Sequence, residues 1–304
     1  MKFGYMHVSK QEQHEALQID ALKEAVVKNG SWIRLPGQKQ SAKVWMKRWC
    51  RSQDGFERKF AICYNKNMQH NAVAFLQLLQ LADSALPVGT AAHSFGLETL
   101  VDEGWLKVEE LETFLRDYLV EAGALECTFC LLGYRLTTSV TEGLFSDLSE
   151  SWLALNARLS AIKTARESRE ASAAMGRRLL QLAQGLELHP FLPDLIRTAK
   201  TAGSATHYSV VFGLLGGLLQ VGATHTGLAY LQQSLTGLVS ACQRLLPLGQ
   251  SQASQLLWRL HAPTLGTIER SEAAASDNDI SSFTPLLDLG SMRHPALTTR
   301  LFIS

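Results

Sequence analysis

Residues 207–222 read HYSVVFGLLGGLLQVG, and this stretch is apolar around nearly the whole circumference of a helix. A helix without a polar face must be buried, either among other helices or in a membrane. The apolar run Val210–Val221 is well short of the roughly 20 residues that span a bilayer. The sequence therefore predicts that residues 207–222 form the central, buried helix of a domain.

Helical periodicity continues through most of the chain after residue 70. In Val108–Leu136, apolar residues recur mostly every three or four positions, with charged residues on much of the other side, the pattern of an amphipathic helix. Breaks containing Gly or Pro separate further predicted helices, which are roughly Leu148–Leu159, Thr164–Leu186, Pro190–Gly203, His207–Gly222, Gly227–Leu246 and Gln250–Leu260. Because no strand alternation is visible here, we predict an all-α fold, a single compact domain of about seven to ten helices.

The charge distribution divides the 304-residue chain near Met68, although the formal net charge is only +1. Residues 1–67 contain 13 Lys and Arg against 6 Asp and Glu, whereas the remaining residues contain 16 against 22. Apart from a helical pattern over Glu12–Val27, this first segment has no sustained period. We predict a basic extension at 1–67, poorly ordered or not native to the folded protein, followed by a helical domain at 68–261.

The basic extension leaves a second interpretation open. Trp45 and Trp49 lie among Lys and Arg residues, and this combination can stack on bases and neutralise phosphates. The segment follows no recognisable nucleic-acid-binding motif, so a helical nucleic-acid-binding protein is kept only as an alternative.

The pattern changes again after residue 261. Residues 262–284 lose periodicity and are rich in Ala, Ser and Asp, which predicts a flexible linker. Residues 285–304, here called the tail, are apolar again. Because the tail is too short to form a core alone, we predict that it docks on another protein; the alternative is that it folds back on the chain's own helices.

Motifs that would indicate an enzyme or a metal site are scarce. The sequence has no Walker-type phosphate loop, HExxH, GxSxG or strand-linked GxGxxG motif. Cys127 and Cys130 form a Cys-x-x-Cys pair, but they lie inside a predicted helix instead of at the helix N-terminus that lowers a thiolate pKa. We predict no catalytic, metal-binding or cofactor-binding residues, with a thiol oxidoreductase as the enzymatic alternative.

The cysteines and the N-terminal residues indicate the cellular compartment of the protein. Five cysteines spread over a long chain do not form a disulfide framework, and MKFGYMHVSKQEQHE lacks the apolar run of a secretory signal. The sequence therefore predicts a protein of the reducing cytoplasm.

Five stretches of the sequence together resemble one known family, that of the urease accessory protein UreF. They occur in the family's order over about residues 72–304 and read LQLADSALPVGTAAHSFGLETLV, ESREASAAMGRRLL, HYSVVFGLLGGLL, PLGQSQASQLL and SMRHPALTTRLF. The resemblance implies an all-α cytoplasmic protein that serves nickel insertion into apo-urease without being an enzyme. It also implies a homodimer and a complex with UreD (also called UreH) and the GTPase UreG, whose GTP hydrolysis the protein influences. Nickel and GTP are expected to act in the process without binding this chain, and no nucleic acid or membrane partner is expected.

Two groups of candidate partner-binding residues follow. The tail is expected to contact UreD through Leu286, Leu289, Met292, Arg293, His294, Arg300, Leu301 and Phe302. A surface patch is expected to include Ser94, Glu98, Glu167, Arg169 and Glu170. The alternating charges of the predicted helix Thr164–Leu186 are equally typical of a solvated face with ion pairs four residues apart. A partner-binding patch and a solvated helix face therefore both stay open as interpretations.

Overall fold

A computed structural model describes residues 26–28, 31–33, 71–137, 145–277 and 279–303. Contacts divide the chain into two units, Met1–Gln69 and His70–Ser304. Within the second unit, most of the described residues are helical, as predicted. Among the described residues, no helix combines the length and apolarity needed to cross a membrane.

The described part of the first unit is one pair of antiparallel strands, β1 (Val26–Lys28) and β2 (Ser31–Ile33), in which Lys28 pairs with Ser31. The helix predicted over Glu12–Val27 is therefore wrong at its end. Asn29-Gly30 lies between the two strands in the sequence and is a strong signal for a two-residue hairpin. The other residues of the basic extension, with Trp45 and Trp49, lie outside the described residues, so its predicted disorder and the nucleic-acid alternative stay predictions.

Helices account for most of the second unit. They are α1 (71–81), α2 (Leu97–Asp102), α3 (Leu111–Tyr118), α4 (Ala124–Arg135), α5 (Phe145–Ile162), α6 (Arg166–Gly185), α7 (Leu192–Thr201), α8 (Tyr208–Leu218), α9 (Ala223–Leu245), α10 (Gln250–Asp277) and α11 (Pro285–Arg293). Three-residue 3-10 segments lie at Thr90–Ala92, Val108–Glu110 and His294–Ala296. A π-helical turn, Leu119–Gly123, joins α3 to α4.

The apolar stretch identified in the sequence forms α8, in which every residue from Tyr208 to Gly217 is buried. Helix α8 packs most extensively on α4. A Cβ atom on Gly213 would overlap the carbonyl oxygen of Cys130 in α4. The glycines of this stretch therefore have a packing role, because they let two helix backbones approach directly.

The length of helix α10 shows that the predicted flexible linker is largely wrong. This helix continues to Asp277, so most of the predicted flexible linker at 262–284 is helical. Hydroxyl residues that looked solvent-exposed are buried on one face at Thr264, Thr267 and Ser271. Their hydroxyls donate to backbone carbonyls four residues earlier and, for Thr267 and Ser271, also to carbonyls of Leu119 and Ala124. These hydrogen bonds satisfy the polar groups, so a face without large apolar residues can still be buried.

Candidate functional site

The tail is seated on the chain's own helices. Helix α11 packs against α2 and α6. Gly96, at φ +91, precedes α2, and a Cβ atom there would lie 2.7 Å from the carbonyl oxygen of Leu287. A Cβ on Gly290 would in turn lie 2.7 Å from the carbonyl oxygen of Gly96. The backbones of α2 and α11 thus touch at two glycines, and a side chain at either would push them apart.

Glu98, in the first turn of α2, holds the far end of the tail. Its side chain is 6% exposed. The carboxylate accepts hydrogen bonds from Nε2 of His294 at 2.7 Å, the backbone N–H of Leu301 at 2.5 Å and the backbone N–H of Phe302 at 3.2 Å. Three donors from the tail therefore offset the cost of burying one carboxylate.

Two further contacts clamp the last residues of the tail. Phe302 is buried beneath the guanidinium of Arg244 in α9, whose Cζ lies 4.1 Å from the ring centroid. The N–H of Ile303 donates to the carbonyl of Ala92 at 2.8 Å. The tail is thus fixed between the 91–98 stretch and α9, by burial as well as by hydrogen bonds.

The middle of the tail is held by side chains on α11. Arg293 pairs with Glu103 at 2.8 Å, and its Cζ lies 5.4 Å from the ring centroid of Trp105. The hydroxyl of Ser291 shares a hydrogen bond with that of Ser168 in α6 at 2.9 Å. Together with Glu98, these contacts fix the tail along its whole described length.

The predicted tail residues divide into two groups. His294 and Phe302 are buried, so they serve the intramolecular contact. Exposed positions are Leu286, Leu289, Met292, Arg293, Arg300 and Leu301. Leu286, Leu289 and Met292, three residues apart on α11 and 41%, 47% and 45% exposed, are called the outer stripe below. The seating of the tail on its own helices is the alternative that the sequence left open, and a contact of the outer stripe with another protein stays a prediction.

The predicted surface patch needs correction at two positions. Ser94 and Glu98 are buried, because the stretch that contains them is covered by the tail. Glu167 and Arg169 are half-buried and Glu170 is exposed. Glu170 pairs with Arg166 at 2.8 Å, and Arg169 donates to the carbonyl of Lys163 at 2.8 Å. The charged helix thus makes the local pairs of a solvated face, and its predicted role toward a partner is untested.

A cavity of about 130 Å³ lies next to the start of the tail. Its lining includes Glu126, Lys163 and Tyr230, and Asp288 of the tail, which accepts a hydrogen bond from Thr164 at 2.9 Å. The ammonium of Lys163 contacts the carboxylate of Glu126. Burial acts to raise the pKa of Glu126, but the charge and hydrogen bond of Lys163 outweigh it and hold that pKa below its usual value. The π-helical turn Leu119–Gly123 ends three residues before Glu126. Turns of this kind are frequent at functional sites.

His207, beside the cavity, ties three helices together. Its Nε2 lies 2.8 Å from the Ser160 hydroxyl, its Nδ1 lies 3.1 Å from the Ser172 hydroxyl, and its N–H donates to Oδ1 of Asn156 at 2.7 Å. Burial, with the nearby charge of Lys163, lowers its pKa to about 4. His207 is therefore neutral near pH 7, with both ring nitrogens engaged within the core.

The cysteine pair lies in the core. Cys127 and Cys130 are free thiols buried in α4. Burial raises the pKa of Cys127 to about 12 and that of Cys130 well above its usual value. Thiol–disulfide exchange needs an accessible thiolate, so this geometry favours the structural interpretation. Within residues 71–137, 145–277 and 279–303, no group of three or more His, Cys, Asp or Glu side chains is placed to hold a metal ion.

Comparison with known proteins gives consistent matches. The sequence model of the family described as UreF matches residues 106–261. A protein of a Nostoc species named urease accessory protein UreF is 34% identical over 232 residues, which are 76% of this chain and 96% of that protein. Proteins with the same name from Trichormus variabilis and Lachnoclostridium phytofermentans are 33% and 31% identical, over 96% and 98% of their lengths. About a quarter of this chain lies outside these matches.

Proposed function

Because the chain belongs to the UreF family of urease accessory proteins, we propose that it acts as a non-catalytic adaptor in nickel insertion into apo-urease. In this proposal it works in the cytoplasm, and it bridges the scaffold protein UreD (UreH) and the GTPase UreG. It modulates GTP hydrolysis by UreG and binds neither nickel nor nucleotide itself. The family name gives the urease accessory role, and the adaptor role goes beyond that name.

The observation that carries the adaptor role is the seated tail with its outer stripe. Large contiguous apolar patches on soluble proteins mark sites of interaction with other proteins. Burying the exposed parts of Leu286, Leu289 and Met292 contributes roughly 2–4 kcal/mol before the entropic cost of association. We assign this stripe to the contact with UreD.

The positive charge of the tail predicts which charge the partner surface carries. Arg300 is exposed near the end of the tail, and Arg293 is more than half exposed beside Glu103. Guanidinium groups at the rim of an apolar contact favour carboxylates on the partner. The proposed surface of UreD is therefore apolar at its centre and acidic at its edge.

The remaining partners follow from the family membership. We propose that two copies of this chain form a homodimer and that UreG and apo-urease join the complex of this dimer with UreD. Nucleic acid and membrane have no place in this assembly. Analytical ultracentrifugation of the purified protein tests the dimer, since a monomer at micromolar concentration would contradict it.

The experiment for the adaptor role is a capture assay with UreD and UreG from the corresponding urease system. Three versions are compared: the full chain, a chain that begins at Met68, and a chain that ends after Asp279. We expect the first two to capture UreD and to support urease activation, and the third to fold but to do neither. Capture of UreD with unchanged affinity by the chain that ends after Asp279 would overturn the proposed role of the tail.

A further inference from the structure

We propose that the cavity lined by Glu126 and Lys163 binds a small neutral amide. Such a molecule has an N–H donor next to a carbonyl oxygen, and urea and the simple carboxamides are examples. The central residue of this site is Gln233 in α9, whose side-chain oxygen accepts the N–H of the ligand. The site is independent of the adaptor role, because residues of this chain alone line the cavity.

Gln233 is a buried polar residue with one unsatisfied atom. It is 5% exposed and lines the cavity. Its Nε2 donates to the phenol oxygen of Tyr208, whereas its Oε1 has no hydrogen-bond partner among the described residues. A buried carbonyl oxygen without a donor is unfavourable. A donor bound in the cavity would therefore stabilise the protein at this atom.

Tyr208 places a donor next to that acceptor. Burial raises the pKa of the Tyr208 phenol above its usual value, so the phenol stays protonated near neutral pH. Because its oxygen accepts the N–H of Gln233, its own proton can be donated to a further acceptor. Two hydrogen-bonded neighbours thus offer one acceptor and one donor. An amide has the complementary pair, an N–H beside a carbonyl oxygen.

Glu126 adds a second acceptor to the lining. Its Oε1 contacts the ammonium of Lys163, and its Oε2 receives a hydrogen bond from the phenol of Tyr230 at 3.5 Å. This distance is long for such a bond, so a better donor can approach Oε2. The ring centroids of Tyr230 and Tyr208 lie 6.0 Å apart. The two acceptors, Gln233 and Glu126, are therefore joined by neighbouring phenols.

The charges of the lining favour an uncharged ligand. Lys163 already neutralises Glu126, and its ammonium would repel a second cation at the same carboxylate. The other carboxylate of the lining, Asp288, accepts hydrogen bonds from the hydroxyls of Thr164 and Thr284 at 2.9 and 3.2 Å. Both carboxylates therefore have partners, and the orphaned atom is the neutral oxygen of an amide side chain.

The size of the cavity favours a small planar molecule. Its volume is about 130 Å³, and a cavity of roughly 150 Å³ holds a molecule the size of benzene. Rings of Phe95, Tyr118, Tyr208 and Tyr230 contribute to the lining and offer flat faces to a planar ligand. Small amides are planar and fit within this volume.

The test is a titration of the ¹⁵N-labelled full chain with four small molecules, followed through the backbone amide NMR signals of α9. Urea and acetamide have both an N–H donor and a carbonyl oxygen. Acetone keeps the carbonyl without an N–H, and methylammonium has N–H donors without an acceptor. Each is added up to roughly 50 mM, far below the molar concentrations at which urea unfolds proteins.

We expect saturable shifts with urea and acetamide, with a Kd on the order of a few millimolar, because ligands of few atoms bind weakly. Acetone and methylammonium should bind about ten-fold more weakly or less, since a buried polar group then stays unpaired. No saturable shift with either amide would overturn the inference, because the cavity would then hold water only. Equal binding of acetone, or tighter binding of methylammonium, would overturn the assigned chemistry.

Gln233→Met places the site at a single side chain, because it removes the unsatisfied oxygen with little change in size. We expect it to weaken binding of both amides about ten-fold or more. Gln232→Met is the matched control, since Gln232 is the preceding residue of α9 and lies outside the lining of the cavity. It should bind like the wild type. Unchanged affinity in Gln233→Met would overturn the role of Gln233.

Gly237→Leu keeps the test decisive if Gln233→Met does not fold. Gly237 lines the cavity, and a Cβ atom there meets nothing within 4 Å, so a larger side chain starts in open space. We expect this variant to fold and to bind neither amide. Retained binding would place the ligand outside the cavity and overturn the inference. Capture of UreD plays no part in these titrations, so a failure of the adaptor role is distinguishable from a failure of the amide site.

Discussion

Oε2 of Glu98 and Nε2 of His294 lie 2.7 Å apart, although 196 positions separate the two residues in the chain. Glu98 belongs to the stretch SFGLE near the start of the domain, and His294 belongs to SMRHPALTTRLF at its end. The two stretches that carry much of the family resemblance are therefore two halves of one contact. Ala92, Gly96 and Glu98, at and before the start of α2, form part of the seat of the tail.

The close approach of α4 and α8 makes Gly213 sensitive to a single added methyl group. Gly213→Ala would place its Cβ against the carbonyl of Cys130, and such overpacking costs about 2–3 kcal/mol. Gly266→Ala in α10 is the control, because a Cβ there meets nothing within 4 Å, and it should stabilise by about 0.5–1 kcal/mol. Urea unfolding monitored by circular dichroism measures both. Equal effects of the two substitutions would contradict the packing described here.

The ion pair between Glu126 and Lys163 is nearly buried, with side-chain exposures of 13% and 12%. Lys163→Met should destabilise the protein by roughly 3–5 kcal/mol, since it leaves Glu126 buried without its cation. The double variant Lys163→Met with Glu126→Gln should recover most of that loss, because it removes the unpaired charge as well. Chemical denaturation of the wild type and the variants gives the coupling. If the double variant is less stable than Lys163→Met alone, the pair does not behave as described.

Low pH should reduce the free energy of unfolding because His207 is held neutral in the folded protein. Its pKa is about 4 in the folded protein against 6.5 ordinarily, so between these values the unfolded chain binds a proton that the folded one does not. The stability contributed by neutral His207 is therefore complete above pH 6.5 and declines as the pH falls toward 4, by on the order of 3 kcal/mol.

The measurement is the free energy of unfolding of wild type and His207→Gln from pH 7 to 4. The amide of Gln keeps hydrogen bonding with Ser160 or Ser172 possible but does not titrate, so we expect a shallower decline for the variant. His261→Gln, at an exposed position, is the control and should follow the wild type. Parallel curves for all three proteins would rule out His207 as the source of the acid sensitivity.

Much of the fold follows from the sequence because its signals are local. The period of apolar residues located α3 to α9 and the start of α10 within a few residues. The same criterion failed at Thr264, Thr267 and Ser271, because buried hydroxyls bonded to carbonyls of their own helix look like solvent-exposed residues. The hairpin did have a local signal in Asn29-Gly30, although the helical spacing before it predicts a helix.

The candidate site was harder to predict because it depends on chain topology. The sequence shows that the tail is apolar, but periodicity cannot show which surface a terminal segment covers. Glu98 looked exposed because a carboxylate is usually on the surface. Its position in the first turn of an otherwise apolar helix, and a histidine in an apolar tail, were the available signals for a buried pair.

The outer stripe on the seated tail is, in our proposal, the contact with UreD. The most direct test is the Kd for purified UreD of the double variant Leu289→Ser with Met292→Ser, compared with a control that replaces Trp258 and Leu265 with Ser. The control residues are exposed apolar side chains of α10. We predict that the tail variant binds UreD at least ten-fold more weakly while hydrogen–deuterium exchange at Phe302 stays slow, and that the control binds normally. An unchanged Kd for the tail variant, or an equal loss in the control, would contradict the claim.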